Sequence, residues 1–442
     1  MIDSSVYLYV YALAWIVEFA VYYWKTKSIG VGGVLIITYT ISSLTSIFFL
    51  NNMDDLFDTG DDLAAGPLIY LFLCLNIMIC PIFVHSKRLG TLPIKVSGTY
   101  FLYVFLIICS PFIIESFFEI SLISSSTNTN SLGSIYESDA DTIGNQLSWL
   151  GRKTTAIVGW FLYLWPILFF ILYQKGGKYR RVSYFAILAF LTSMLRDYAA
   201  ASRVGIVRAM MYFFLVFMLY KYNISRKNRK KIEIAFGIGG GSLILLLAII
   251  TISRFSYSGI GDITSVWVWV SLYIGEAPIR FCQYMWTITT TGNGDNTFSL
   301  LKEVLGLNPI IDMEQRRAFY EAKLGIPNNI FYTIIGDFYV DLGRVGTLVY
   351  CVCYSFLLNL YIKYIINKRY LSLSSFFILS LILLSSEFGI MYFAFKLYMI
   401  QVYLVPSFVL LVVYYLFTNK RTKTVRVRYS KNKKYLSEYK VK

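Results

Sequence analysis

The 442-residue chain is 57% hydrophobic and 18% aromatic, with only 15% charged residues and a mean hydropathy of +0.59. Soluble domains carry about 25% charged residues, so a cytosolic enzyme, a disordered protein and a disulfide scaffold are excluded. The formal charge of +16 would suit nucleic acid, and only its placement along the chain separates that reading from a topology signal.

A bilayer-spanning helix needs about 20 apolar residues. Such runs fall near 6–24, 29–50, 66–85, 98–120, 154–173, 183–200, 203–223, 232–252, 344–366, 373–395 and 400–417. They predict an all-α polytopic membrane protein of about 11 transmembrane helices, with 183–200 and 203–223 forming a tight hairpin. The first run has no basic residues before it and no small-residue cleavage site, and Lys25 and Lys27 follow it. It therefore reads as an uncleaved anchor with the N-terminus outside.

Alternation from that start places 25–28, 86–97, 174–182, 224–231, 367–372 and the tail in the cytoplasm. These connections hold Lys87, Arg88, Lys175, Lys178, Arg180, Arg181 and the run Arg226 to Lys231. The opposite connections hold Asp54, Asp55, Asp58, Asp61, Asp62, Glu137, Asp139 and Asp141. That asymmetry obeys the positive-inside rule, so the basic charge is a topology signal and nucleic acid is discarded as a partner. The basic tail is also expected to touch anionic headgroups.

The resulting division is 1–252 for the first eight helices, 253–343 for a large extracytoplasmic loop, 344–417 for the last three helices and 418–442 for the tail. Residues 121–150, rich in Ser, Asn and Thr, read as a flexible connection. The 253–343 loop reads as structured. Ile263 to Trp286 is apolar and Trp-bearing and suits an interfacial helix. Asp312 and Gln315 open a capped helix that Gly325 and Pro327 close.

The six cysteines show no metal-ligand spacing and read as buried thiols, and the lone His85 cannot anchor a metal cluster. Gly237, Gly239, Gly240 and Gly241 imitate a phosphate loop but sit inside a span without a following lysine, so close helix packing is expected of them. Asp139-Ala-Asp141 imitates a metal and nucleotide-sugar motif, but its loop is expected outside and reads as solvated acid.

Charge inside or beside a membrane is costly, at about 2.5–3.5 kcal/mol for a helix centre. Nevertheless Arg196, Asp197, Arg203, Arg208, Arg254 and Arg280 gather at the expected outer ends of the spans, where arginine should be depleted. Guanidinium forks bind phosphate bidentately, so Arg196, Arg203, Arg254 and Arg280 are candidate pyrophosphate ligands, with Arg203 foremost behind the cap residue Ser202. Simple pairing competes with this role, because Glu276 precedes Arg280 by one helical turn and Asp312 and Glu321 flank Arg316 and Arg317. Glu276 and Asp337 are the candidate catalytic carboxylates, and Arg316, Arg317 and Asp341 are secondary candidates. Glu18 and Glu387 fall inside spans and are expected to face the bundle interior or a wet cavity.

Three stretches carry a resemblance: Ala201 to Gly205, Ile252 to Phe255, and Asn329 to Gly343 with its Gly336-Asp337 and Asp341-Leu-Gly343. With many spans, an Arg-bearing hairpin and a large outer loop, the chain resembles the bacterial oligosaccharide repeat-unit polymerases, the Wzy-type O-antigen and capsule polymerases. The likeness covers roughly 200–350 in local pattern and the remainder in hydropathy. Related O-antigen ligases are thought to use an outer-face histidine, whereas His85 is expected inside.

The resemblance implies joining of polyprenyl-pyrophosphate-linked oligosaccharides at the outer face of the bacterial cytoplasmic membrane, without metal or cofactor. It also implies membrane lipids and a flippase or chain-length regulator as partners. Three other readings are weighed: a lipid-linked oligosaccharide flippase, a GT-C-type polyprenyl-phosphate sugar transferase using Asp54 and Asp55, and a non-enzymatic membrane subunit.

Overall fold

The computed structural model describes residues 5–57, 63–126, 145–200, 202–257, 263–327 and 330–438. The chain is all-helical, and extended pairing among the described residues is limited to one parallel bridge between Ile94 and Leu371. In chain order the helices are α1 Ser5–Thr26, α2 Val31–Phe57, α3 Ala65–Thr91, α4 Thr99–Ser126, α5 Trp149–Trp160, α6 Trp165–Lys175, α7 Gly177–Ala199 and α8 Arg203–Tyr220. They continue with α9 Arg226–Tyr257, α10 Ile263–Arg280, α11 Ser299–Val304, α12 Met313–Leu324, α13 Thr333–Lys368, α14 Leu373–Phe388 and α15 Tyr398–Glu438.

Seven helices among the described residues are long and apolar enough to cross a membrane, or eight if a bent pair counts as one span. They are α1 to α4, α8, α13 and α15, and the bent pair is α5 with α6. The apolar run 154–173 thus forms two helices meeting at 73° rather than one rod. Pro166 in the first turn of α6 supplies no amide hydrogen to continue α5.

Three of the expected eleven runs do not meet the same measure. The run at 373–395 is helical only to Phe388, and its last residues form an irregular connection. The run at 183–200 lies in α7, whose ends carry Lys178, Arg180, Arg181, Arg196 and Asp197. The run at 232–252 lies in α9, whose side chains beyond residue 241 are outside the described set.

Aromatic side chains fasten the bundle. Trp15 of α1 stacks on Tyr39 of α2 at 4.8 Å and meets Phe72 of α3 edge-on at 5.0 Å. Such pairs add about 0.5–1.5 kcal/mol beyond their burial. Gly275 lets α10 press onto α2, because a Cβ there would lie 2.5 Å from the Thr45 carbonyl carbon. Around Gly237, Gly239, Gly240 and Gly241 a Cβ would meet open space, so the close packing expected of them is not made by described residues. Of the cysteines, Cys80 and Cys353 are exposed on the helix surface rather than buried.

The connections sort to two ends of the bundle. At one end, 92–95 pairs with Leu371, and Asn223 joins it by accepting from the Ile94 amide at 2.9 Å and donating to the Leu92 carbonyl. At the other end, the start of α8, the end of α10, the 292–298 turn, the start of α13 and the 389–397 connection come together. That second end collects the charged groups.

Candidate functional site

The 12-residue helix α12 starts where its capping pattern predicts. Asp312 accepts from the Gln315 amide at 2.8 Å, and Gly325 ends the helix in the left-handed region at φ 68°. This fixes the register of Arg316 and Arg317. Arg316 turns inward, 4% exposed, and donates to the Asp295 carbonyl at 3.2 Å, while Arg317 stays on the exposed face.

The turn that Arg316 touches is bound to α13 by two carboxylates one helical turn apart. Asp341 accepts from the amides of Asn296 at 3.2 Å and Thr297 at 2.7 Å, and from the Thr297 hydroxyl at 2.6 Å. Asp337 accepts from the Asn296 side-chain amide at 2.6 Å, from the Phe393 amide and from the Lys396 ammonium at 3.3 Å. Asp337 has no exposed surface. A carboxylate that already holds a side-chain amide, a backbone amide and an ammonium is poorly placed to accept a substrate proton. Asp337 and Asp341 therefore hold the 292–298 turn and the 389–397 connection to α13. After Asp341 the backbone breaks at Gly343, with φ 67° and ψ −178°, and the long apolar part of α13 begins there.

Lys396 was not singled out by sequence pattern. Its ammonium lies over the rings of Tyr392 at 4.5 Å and Tyr332 at 5.3 Å. Burial lowers its affinity for a proton below that of an ordinary lysine, and the Asp337 carboxylate acts in the opposite sense. The missed signal was a single lysine in a short connection expected on the outer side, where the positive-inside rule depletes cations.

Arg203 is 8% exposed at the start of α8 and stacks on Tyr273 of α10, with its guanidinium 4.8 Å from the ring centroid and a 2.7 Å bond to the hydroxyl. Ser202 caps the helix by accepting from the Gly205 amide, as its position before Arg203 predicts. Tyr273 is 5.5 Å from Phe331, which stacks on Tyr392 at 5.8 Å. A path of rings thus runs from Arg203 to Lys396.

Glu276 and Arg280 are both buried on α10. Arg280 reaches Glu276 at 3.1 Å and Gln283 at 2.8 Å, so the pair predicted by their spacing is formed. Burial raises the Glu276 carboxyl to about 7, against the pull of Arg280 and the Phe331 amide. A carboxyl in that range is able to exchange a proton near neutrality.

The structure thus brings Arg203, Arg316, Arg317, Asp337, Asp341, Glu276 and Arg280 to one end of the bundle. Arg196 is exposed at the end of α7, beside that hairpin. The side chains of Arg254, Asp54 and Asp55, together with Asp58, Asp61, Asp62, Asp139 and Asp141, lie outside the described residues. Among the described residues no cluster of three His, Cys, Asp or Glu side chains forms a metal cage. No family model, curated protein or solved structure matches the chain.

Proposed function

We propose that the protein is a membrane glycosyltransferase that polymerises polyprenyl-pyrophosphate-linked oligosaccharide repeat units at the outer face of the bacterial cytoplasmic membrane. In this reading the chain crosses eleven times, with α7, α9 and α14 completing the count through partners in the bundle. One observation carries the proposal: Arg203, Arg316 and Lys396 gather with the rings of Tyr273, Phe331, Tyr392 and Tyr332 at one end of an apolar helical bundle. In this reading the pyrophosphate of the lipid-linked substrate is the anion that these cations face.

An acceptor sugar hydroxyl attacks the anomeric carbon of the donor, and the bond from that carbon to the pyrophosphate oxygen breaks. The leaving group takes the electron pair and gains negative charge, which Arg203 and its neighbours stabilise. The acceptor proton passes to a carboxylate. Glu276 suits this better than Asp337, whose oxygens serve the outer turn. Arg280 is assigned to Glu276 rather than to the pyrophosphate, and Arg196 and Arg254 remain on the rim of the proposed site.

The test is a purified-protein assay with a lipid-linked repeat unit, scored for a ladder of products. Arg203→Ala is expected to lower polymer formation by about 100-fold or more, with Arg203→Lys intermediate because it keeps charge and loses the fork. Polymer at wild-type levels from Arg203→Ala refutes the site. Activity lost to a chelator and restored by Mg²⁺ or Mn²⁺ favours the GT-C-type transferase. The eleven-span topology requires tags at 226–231 and at the C-terminus to be cytoplasmic.

One observation favours a lipid-linked oligosaccharide flippase as the second reading. Glu387 is buried in α14 and accepts from the Thr38 hydroxyl of α2. Intramembrane carboxylates of this kind mark transport pathways. Glu387→Gln abolishing lipid translocation in vesicles, with no ladder formed by the wild type, would select that reading.

A further inference from the structure

A cavity opens beside the cationic end, between the α5–α6 bend and the α7–α8 hairpin. Its lining includes the half-buried Asp197, Arg208 and Ser193 and the buried Tyr163, Tyr212 and Phe190. The enclosed space admits about one water-sized group. Tyr212 is already used, bonded to the Tyr163 carbonyl at 2.5 Å and to Ser380 at 2.9 Å. Tyr163 is different. Its ring is 6% exposed, and its hydroxyl is buried with no hydrogen-bond partner among the described residues.

The 73° bend explains how Tyr163 arrives there, since it lies in the four residues between α5 and α6. Gly205 explains Asp197: a Cβ at 205 would lie 2.2 Å from the Asp197 Oδ2, so only glycine admits the carboxylate. Asp197 and Arg208 act electrostatically on one another and on Tyr163.

The donor set defines the ligand. A guanidinium only donates, a carboxylate only accepts, and a phenol does both. One sugar hydroxyl satisfies this set by donating to Asp197 and accepting from Arg208 or Tyr163. A phosphate oxygen only accepts and would be repelled by Asp197. The charges of Asp197 and Arg208 cancel, which again favours a neutral hydroxylic group of about the size the space admits. We propose that this cavity is a sugar-hydroxyl subsite that takes one hydroxyl of the terminal sugar of the acceptor chain. The sugar-binding claim stands on the cavity alone, whereas the acceptor role rests on the polymerase reading.

The test is saturation-transfer NMR on detergent-purified protein with methyl hexosides and methyl N-acetylhexosaminides, and inorganic pyrophosphate as competitor. At least one glycoside is expected to receive saturation from the protein. Tyr163→Phe, which keeps the ring and its packing, should weaken binding about fivefold, and Asp197→Asn about tenfold or more. Both variants should keep the wild-type melting temperature within about 2 °C. Pyrophosphate should not displace the glycoside, and Arg203→Ala should leave glycoside binding unchanged. No saturation of any glycoside, binding indifferent to both substitutions, or displacement by pyrophosphate each overturns the subsite. Glycoside binding without a ladder of products keeps the subsite and removes the polymerase reading.

Discussion

The two ends of the helical bundle use their charge in opposite ways. At the end where 92–95 meets Leu371, the connections are held by neutral bonds: Lys95 amide to Leu371 carbonyl at 2.9 Å, Leu371 amide to Pro93 carbonyl at 3.0 Å, and Asn223 to Ile94. Lys87, Arg88, Lys175 and Lys178 stand outside that frame, exposed. At the opposite end Glu276 pairs with Arg280 in the interior, and the buried Asp295 and Asp337 pair with the half-buried Lys302 and Lys396, with the buried Arg203 and Arg316 nearby. Exposed charge costs little and orients the chain in the bilayer. Buried charge costs several kcal/mol before it is paired, so the packing of that end depends on each pair being complete.

The contrast is broken most strongly at Asp337. Asp337→Ala leaves the Lys396 ammonium, the Phe393 amide and the Asn296 side chain without their acceptor. A loss of about 3–5 kcal/mol in stability is expected, read as a lowered melting temperature in detergent. Adding Lys396→Met should restore part of it, since a neutral side chain no longer needs the carboxylate. A melting temperature unchanged by Asp337→Ala would remove the distinction between the two ends.

A pH scan sharpens the comparison at intermediate size. Burial raises the Glu276 carboxyl from its ordinary 4.5 to about 7, so folding favours its protonated form. The stability it contributes is fully present below about 4.5, declines as pH rises and is lost through about 7. The wild type should therefore lose a few degrees of melting temperature between pH 5 and pH 8. Glu276→Gln should show a flatter profile. Equal slopes in the two proteins would mean that Glu276 does not titrate there.

The neutral end should respond least. Asn223→Ala removes the Ile94 and Leu92 bonds and should cost about 1 kcal/mol. Lys175→Ala, at an exposed position, should stay within about 0.5 kcal/mol. Neither should alter polymer formation. A larger effect from Lys175→Ala than from Asp337→Ala would reverse the roles assigned to the two ends.

Local features of the sequence reached the structure wherever the physics was local. Apolar runs at 6–24, 66–85 and 203–223 fall within or nearly coincide with α1, α3 and α8. The caps at Ser202 and Asp312 form because a side-chain oxygen needs only an amide three residues away. The Glu276–Arg280 pair follows from helical spacing in the same way. Hydropathy overran where it ignored backbone chemistry: Pro166 bends 154–173, and the run 373–395 leaves the helix after Phe388.

The chain by itself determined that the protein is helical and apolar enough for a membrane, since backbone groups in lipid must be satisfied within each segment. It also marked Arg203, Glu276 and Asp337 as charges in costly places. Only the tertiary structure decided what those charges do. Asp337 meets Asn296 41 residues earlier and Lys396 59 residues later, Arg203 meets Tyr273 70 residues away, and Tyr163 faces Asp197 and Arg208 across a bend. No periodicity encodes such meetings, because packing of whole helices sets which distant side chains share a dry space. In that dry space the partner that a charge meets decides what it braces.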